Sequence, residues 1–213
     1  MHDKRNRMMQ NRDEIIDGYL IEEFVPELTP AERAKQKKAS QKFFMVLRDI
    51  FVAFIIIMVI LQFVKPTVVF EHSMESTLHP EDYVLLERQA YRFNEVAFGD
   101  IVVCSSELMD SQGERKNLIK RVIGVPGDTV EIKDEAIWRN GERLFEPYTR
   151  DGYTEGQMDL AVVPEGYYFL VGDNRQVSID SRNPRVGMVD AAEIMGKVNF
   201  RLFPFSDMGK VSL

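Results

Sequence analysis

The chain has 213 residues, 45% apolar and 29% charged, which excludes wholesale disorder and allows one ordinary domain with a segment to spare. Its single cysteine, Cys104, excludes an intramolecular disulfide, a cysteine-built zinc site and an iron–sulfur cluster; with His2 in a polar N-terminal stretch, only His72 and His79 remain for imidazole or metal chemistry. The net charge of −7 argues against a nucleic-acid partner, because phosphate binding needs a basic face.

The charges are segregated along the chain. Residues 1–42 carry 9 Lys/Arg against 8 Asp/Glu, and residues 66–213 carry 16 against 25. The first segment has no clean apolar periodicity in Ile15–Phe24 and reads as a solvated tail. Thr29-Pro30-Ala31-Glu32-Arg33 has the form of a helix start, with Thr29 as N-cap and Pro30 at the first helical position.

Phe43–Lys65 contains only Arg48, Asp49 and Lys65 as charges. Ile50–Val64 has one polar residue, Gln62, in fifteen, and would make about 22 Å of helix, short of the ~30 Å hydrocarbon core. Extension back to Phe43 gives about 33 Å, with Arg48 able to snorkel to the interface. The run lacks the polar stripe of a core helix, and Gln62-Phe63-Val64-Lys65-Pro66 is not a small-x-small cleavage site. Residues 43–65 therefore read as one uncleaved transmembrane helix. Arg33, Lys35, Lys37, Lys38 and Lys42 stand before it and Arg48 in its first turns, whereas Lys65 is followed by no base until Arg88. The positive-inside rule makes residues 1–42 a cytoplasmic tail and residues 66–213 an extracytoplasmic domain of a single-pass protein in the cytoplasmic membrane.

After Pro66 the pattern changes to short apolar runs separated by turn signals: 67–70, 83–86, 101–104, 118–125, 129–133, 136–139, 167–171 and 197–202. This spacing predicts a mainly β domain, a sandwich or barrel. Asn140-Gly141 marks the strongest hairpin, since the pair tolerates the positive φ angles of a type I′ turn. One short helix is expected at Asp190–Met195.

Three features carry chemistry. Lys120 lies in Leu118–Val125, a run apolar enough to be buried on both faces, with Leu118 and Val122 on its own face and Arg121 on the other. A buried amine loses its proton more readily and can then act as a base towards a hydroxyl; a snorkelling lysine on an edge strand is the alternative. Ser73, in Glu71-His72-Ser73-Met74-Glu75-Ser76-Thr77-Leu78, is the candidate nucleophile, or else an ordinary turn residue. A histidine triad is disfavoured, because adjacent residues of an extended chain point His72 away from Ser73. The polar loop Gly172–Arg182, with Ser178, Asp180 and Arg182, reads either as a hydrogen-bonded turn or as a support behind the lysine.

Taken in order, the transmembrane segment, Ser73-Met74-x-x-Thr77-Leu78, Gly99-Asp100-Ile101-Val102-Val103, Lys120-Arg121-Val122-Ile123-Gly124-Val125-Pro126-Gly127-Asp128 and Gly172-Asp173-Asn174-x-x-x-Ser178-x-Asp180-Ser181-Arg182 resemble the bacterial type I signal peptidases. The resemblance spans roughly residues 43–205. It implies a serine endopeptidase with a Ser/Lys dyad that cleaves signal peptides from exported preproteins at the outer membrane face, needing no cofactor or metal. It implies Ser73 as nucleophile, Lys120 as general base, Ser178 as the hydroxyl positioning that lysine, and Asp180 with Arg182 as a structural pair. Specificity would favour small residues near the cut, held in a peptide that pairs with a strand edge. Two departures matter. Ser76 stands where the family has Pro, and Glu71 and His72 stand where it has small residues. Some members place an oxyanion-hole hydroxyl two residues before the nucleophile; ionised Glu71 cannot donate there, so backbone N–H groups must serve. The soluble self-cleaving Ser/Lys repressors are a rival disfavoured by the anchor, and a catalytically inactive, membrane-anchored peptide-binding module is the alternative outside enzymology.

Overall fold

The computed structural model describes residues 29–110 and 112–211, together with the strands at 13–16 and 19–22. Two compact units divide the chain, Met1–Met58 and Val59–Leu213.

In the first unit, strands β1 (Asp13–Ile16) and β2 (Tyr19–Glu22) form an antiparallel hairpin where the sequence shows no periodicity. The helix α1 runs over Pro30–Phe63, so the basic stretch and the apolar run are one continuous rod. Its start is a capping box: Glu32 N–H donates to Thr29 Oγ1, while Thr29 N–H donates to Glu32 Oε2 at 2.8 Å. None of its residues is buried, and its large apolar side chains from Phe43 to Phe63 are all exposed. An apolar helix of this length with no protein covering it suits a hydrocarbon solvent. It ends at Phe63, two residues before the expected boundary. Pro66 disfavours helix in the residue before it, and Val64 and Lys65 pair instead with Glu87 and Leu86.

The second unit takes in the end of α1 and three 3-10 turns and is otherwise built from β-strands. Its strands are β3 (Val64–Val68), β4 (Tyr83–Glu87), β5 (Ile101–Met109), β6 (Arg115–Gly124), β7 (Thr129–Lys133), β8 (Ala136–Arg139), β9 (Glu142–Arg143), β10 (Met158–Val162), β11 (Tyr167–Val171), β12 (Val189–Asp190), β13 (Ile194–Phe203) and β14 (Gly209–Lys210). The main sheet has the order β12-β11-β6-β5-β13-β4-β3, with β14 added to β13. A second sheet has the order β10-β7-β8-β9. All pairings are antiparallel. The Asn140-Gly141 turn closes β8 on β9 with φ of 52° and 80°, as its residues require.

Residues 190–195 are not the expected helix. Ala191–Glu193 make one 3-10 turn capped by the Asp190 side chain, and Ile194 already pairs with Cys104. Six residues cannot repay helix nucleation when a sheet position is open beside them.

Three apolar clusters fill the β unit. One joins Met74 and Leu78 to Val69, Val84, Leu86, Ile101, Val103 and Val198. A second packs Leu118 and Val122 with Val102, Cys104 and Leu170, and a third packs Ile123 with Phe169 and Val171. The clusters meet along β6, whose residues from Lys120 to Gly124 are all buried.

Candidate active site

A short 3-10 turn, His72–Met74, carries Ser73 between β3 and β4. Met74 is plugged into the first core cluster, and the N–H groups of Thr77 and Leu78 both donate to its carbonyl at 2.8 Å. The residue after Ser73 is thus an anchor, and the turn it closes presents the serine to β6. There Lys120 Nζ donates to Ser73 Oγ at 2.6 Å. Ser73 is 6% exposed and Lys120 1%. Burial pushes the Lys120 amine below the ordinary lysine range, outweighing the upward pull of Asp180 and Glu71. An amine that readily sheds its proton therefore touches a hydroxyl.

Both histidines are elsewhere. The exposed His72 ring meets Glu75 Oε1 at 2.7 Å, and the His79 backbone exchanges hydrogen bonds with Asp82, donating its N–H to the carboxylate and accepting the Asp82 N–H.

The loop after β11 closes the site from behind. Gly172 packs so closely that a Cβ there would lie 2.2 Å from Ser178 Oγ and 2.4 Å from the Ser73 carbonyl oxygen. No other residue fits. Asn174 N–H donates to that same Ser73 carbonyl at 3.0 Å, and Asn174 Nδ2 donates to the His72 carbonyl at 3.1 Å. Asp180, fully buried, is held by the Arg182 guanidinium through two bonds of 2.8 Å and by the Gly172 N–H at 3.0 Å. Burial would raise its pKa, but the Arg182 bonds win and hold the carboxyl below its usual range. Ser178 Oγ is buried without a hydrogen bond of good geometry, yet close enough to Asp180 to help keep it ionised.

Sequence reasoning missed the pair on the other face of β6. Arg121 and Asp173 form a bidentate ion pair of 2.8 and 2.7 Å, 1% and 0% exposed. Thr77 Oγ1 donates to the same carboxylate at 2.5 Å, and the Tyr148 ring lies 4.0 Å from the guanidinium carbon. Three segments are tied together there: the Ser73 turn, β6 and the β11 loop. The signal was an arginine inside an apolar run, which alternation had already put on a buried face.

Beside Ser73 opens a groove of about 460 Å³. Thr67–Glu71 form one wall, Lys116, Asn117 and Ile119 of β6 the other, with Val103 and Met74 between them. Among the described residues no group of His, Cys, Asp and Glu is arranged to hold a metal.

The sequence family described as "Signal peptidase, peptidase S26" matches residues 43–203. The chain belongs to that family. This S26 peptidase is 35% identical over 191 residues to signal peptidase I of Bacillus licheniformis, covering 84% of this chain and 97% of that one. It is 35% identical over 177 residues to signal peptidase IB of Staphylococcus aureus strain COL, covering 75% of this chain and 88% of the relative. A solved signal peptidase I from Enterococcus faecalis V583 aligns at 31% identity and a TM-score of 0.41, over 49% of this chain and 97% of that one. The S26 peptidase accommodates its unusual residues locally. Glu71 pairs with Lys116, and Ser76 Oγ donates to the Tyr148 carbonyl at 2.7 Å.

Proposed function

We propose that this S26 peptidase is a membrane-anchored serine endopeptidase that removes N-terminal signal peptides from exported preproteins, with Ser73 as nucleophile and Lys120 as general base. The observation that carries the reading is the 2.6 Å contact between the two side chains, both withdrawn from water. Membership of the signal peptidase family supports the reaction class.

In the resting state the ammonium donates to Ser73 Oγ. Once Lys120 has lost its proton, the same contact reverses, and Oγ–H donates to the amine. The amine takes that proton as Oγ attacks the scissile carbonyl. The developing oxyanion is met by backbone N–H groups, that of Ser73 among them. Lys120 then gives the proton to the leaving amine, the C–N bond breaks, and an acyl-enzyme remains. The neutral lysine next takes a proton from water as the water oxygen attacks the ester, and returns it to Oγ when the C–O bond breaks and Ser73 is freed. Asp180 and Arg182 hold the loop behind the lysine; the family resemblance assigns Ser178 to orient the lysine amine, although its hydroxyl makes no hydrogen bond of good geometry in this structure.

The substrate lies extended in the groove. β3 ends the main sheet, so its outer edge offers unpaired backbone groups to a peptide strand, and the family resemblance implies small side chains next to Ser73. Residues 43–63 span the bilayer with 1–42 cytoplasmic and the β domain outside, on the face where signal peptides emerge.

The test is cleavage by detergent-purified full-length protein of a preprotein with small residues before the cut. The parent is expected to release the mature fragment and Ser73→Ala none. A folded parent that binds the signal peptide without cutting it would leave only the peptide-binding module.

A further inference from the structure

Glu71 puts a carboxylate on the groove wall, two residues before the nucleophile. In the reaction proposed above, a negative charge at that point opposes catalysis twice. It favours the ammonium form of Lys120, and it repels the oxyanion. The structure supplies a partner: Lys116 Nζ contacts Glu71 Oε1 across the groove, each side chain 40% exposed. Alternation along β6 puts Lys116, Leu118 and Lys120 on one face, so base and ion-pair partner project from the same strand.

The other charges around the site have fixed partners. Asp180 is bound by Arg182, and His72 meets Glu75. Arg115 pairs with Glu193, and Asp110 accepts from the backbone N–H groups of Gln112 and Glu114. Cys104, opposite Leu118 on β5 and so diagonal to Lys120, is kept protonated, because burial pushes its thiol up to about 11. Glu71 is the carboxylate near the dyad whose balance depends on one half-exposed lysine.

We propose that Lys116 serves as the counter-ion of Glu71 and so keeps that carboxylate from acting on the Ser73–Lys120 pair and on the oxyanion beside it. The proposal rests on the Ser/Lys reading above. Lys116 is a positioning residue that acts through Glu71. It also explains how this chain accommodates an acid where its family resemblance calls for a small residue. The charge of Glu71 is offset within the fold, by a side chain placed four residues before the base.

The experiment measures kcat and KM against pH for full-length protein in detergent, with a synthetic peptide spanning a signal-peptide cleavage site. Lys116→Gln leaves Glu71 unbalanced; the acid limb of kcat is expected to move to higher pH and kcat on that limb to fall at least about threefold, with KM nearly unchanged. Lys116→Arg keeps the charge and should hold the acid limb at lower pH than Lys116→Gln does. Glu71→Gln alone should move the acid limb of kcat to lower pH, and adding it to Lys116→Gln should bring kcat on that limb back to within about twofold of the parent. A Lys116→Gln profile that overlays the parent overturns the proposal. So does a double variant as impaired as Lys116→Gln, since Lys116 would then serve substrate or fold directly. Activity in Ser73→Ala would instead remove the Ser/Lys reading itself.

Discussion

At Lys120 two influences act on one ammonium. Withdrawal from water disfavours its charge, while Asp180 and Glu71 favour it, and withdrawal prevails. The direction decides the chemistry, because a lysine free in water, with a pKa near 10.4, is unprotonated in only about one molecule in 2,500 at pH 7. Cleavage is accordingly expected to rise with pH through one ionisation that lies below the ordinary lysine range. Lys120→Arg keeps the charge but cannot deprotonate, and should lower kcat at least about a thousandfold. Removing both His72 and His79 should leave that pH profile unmoved; substantial turnover in Lys120→Arg, or its loss in the folded double-histidine variant, would assign the base elsewhere. The same depression makes a stability statement. Between the folded pKa of Lys120 and about 10.4 the unfolded chain binds one proton more than the native one, so stability contributed by this group rises with pH across that window. Lys120→Met, which removes the buried amine, should raise Tm at pH 7, and its advantage should shrink as the pH approaches 10. A constant difference in Tm across that range would mean that Lys120 titrates alike in both states.

The loop that follows β11 shows how one element holds two others. Gly172→Ala would drive a methyl group into Ser178 Oγ and the Ser73 carbonyl, a backbone contact that cannot yield, so a loss of about 1–3 kcal/mol and of turnover is expected in melts and cleavage assays. Asp180→Ala strands Arg182, but that guanidinium is 16% exposed, so the cost should fall near the lower end of the ~3–5 kcal/mol for a broken buried pair. Ser178→Ala removes a hydroxyl that makes no good hydrogen bond, and should melt like the parent while turning over more slowly. If Asp180→Ala melts and cleaves like the parent, the loop is not coupled to the site. Much at this scale was legible in the residues. Thr29 and Pro30 opened α1, and Asn140-Gly141 closed β8 on β9. The apolar flanks of Lys120 announced a buried strand. β10 was not legible, because Met158–Val162 pairs with β7 alone and leaves most of its side chains in solvent, so burial imposed no alternation on its sequence. Nor was the Arg121–Asp173 pair, whose two members are 52 positions apart and meet only through the order of β6 and β11 in the sheet.

Over the whole molecule, the charge asymmetry around α1 makes a claim about sides. Protease added to intact spheroplasts is expected to digest residues 66–213 and to spare the tail, read with antibodies against each end. Protection of the β unit would reverse the orientation and remove the export assignment with it. A different consequence follows from the Asn174 bond to the His72 carbonyl, which joins positions 102 residues apart. The serine turn leaves the ribosome early, the base-bearing strand later, and the segment that fixes both comes last. At about 5–20 residues per second, several seconds separate the emergence of Ser73 from that of Arg182. During that interval the chain already carries Ser73 yet lacks the loop that holds its turn in place. Proteolytic competence is thus a late event in the life of each molecule, and a nascent copy is harmless to its neighbours, and to itself, until nearly the entire β unit has been made.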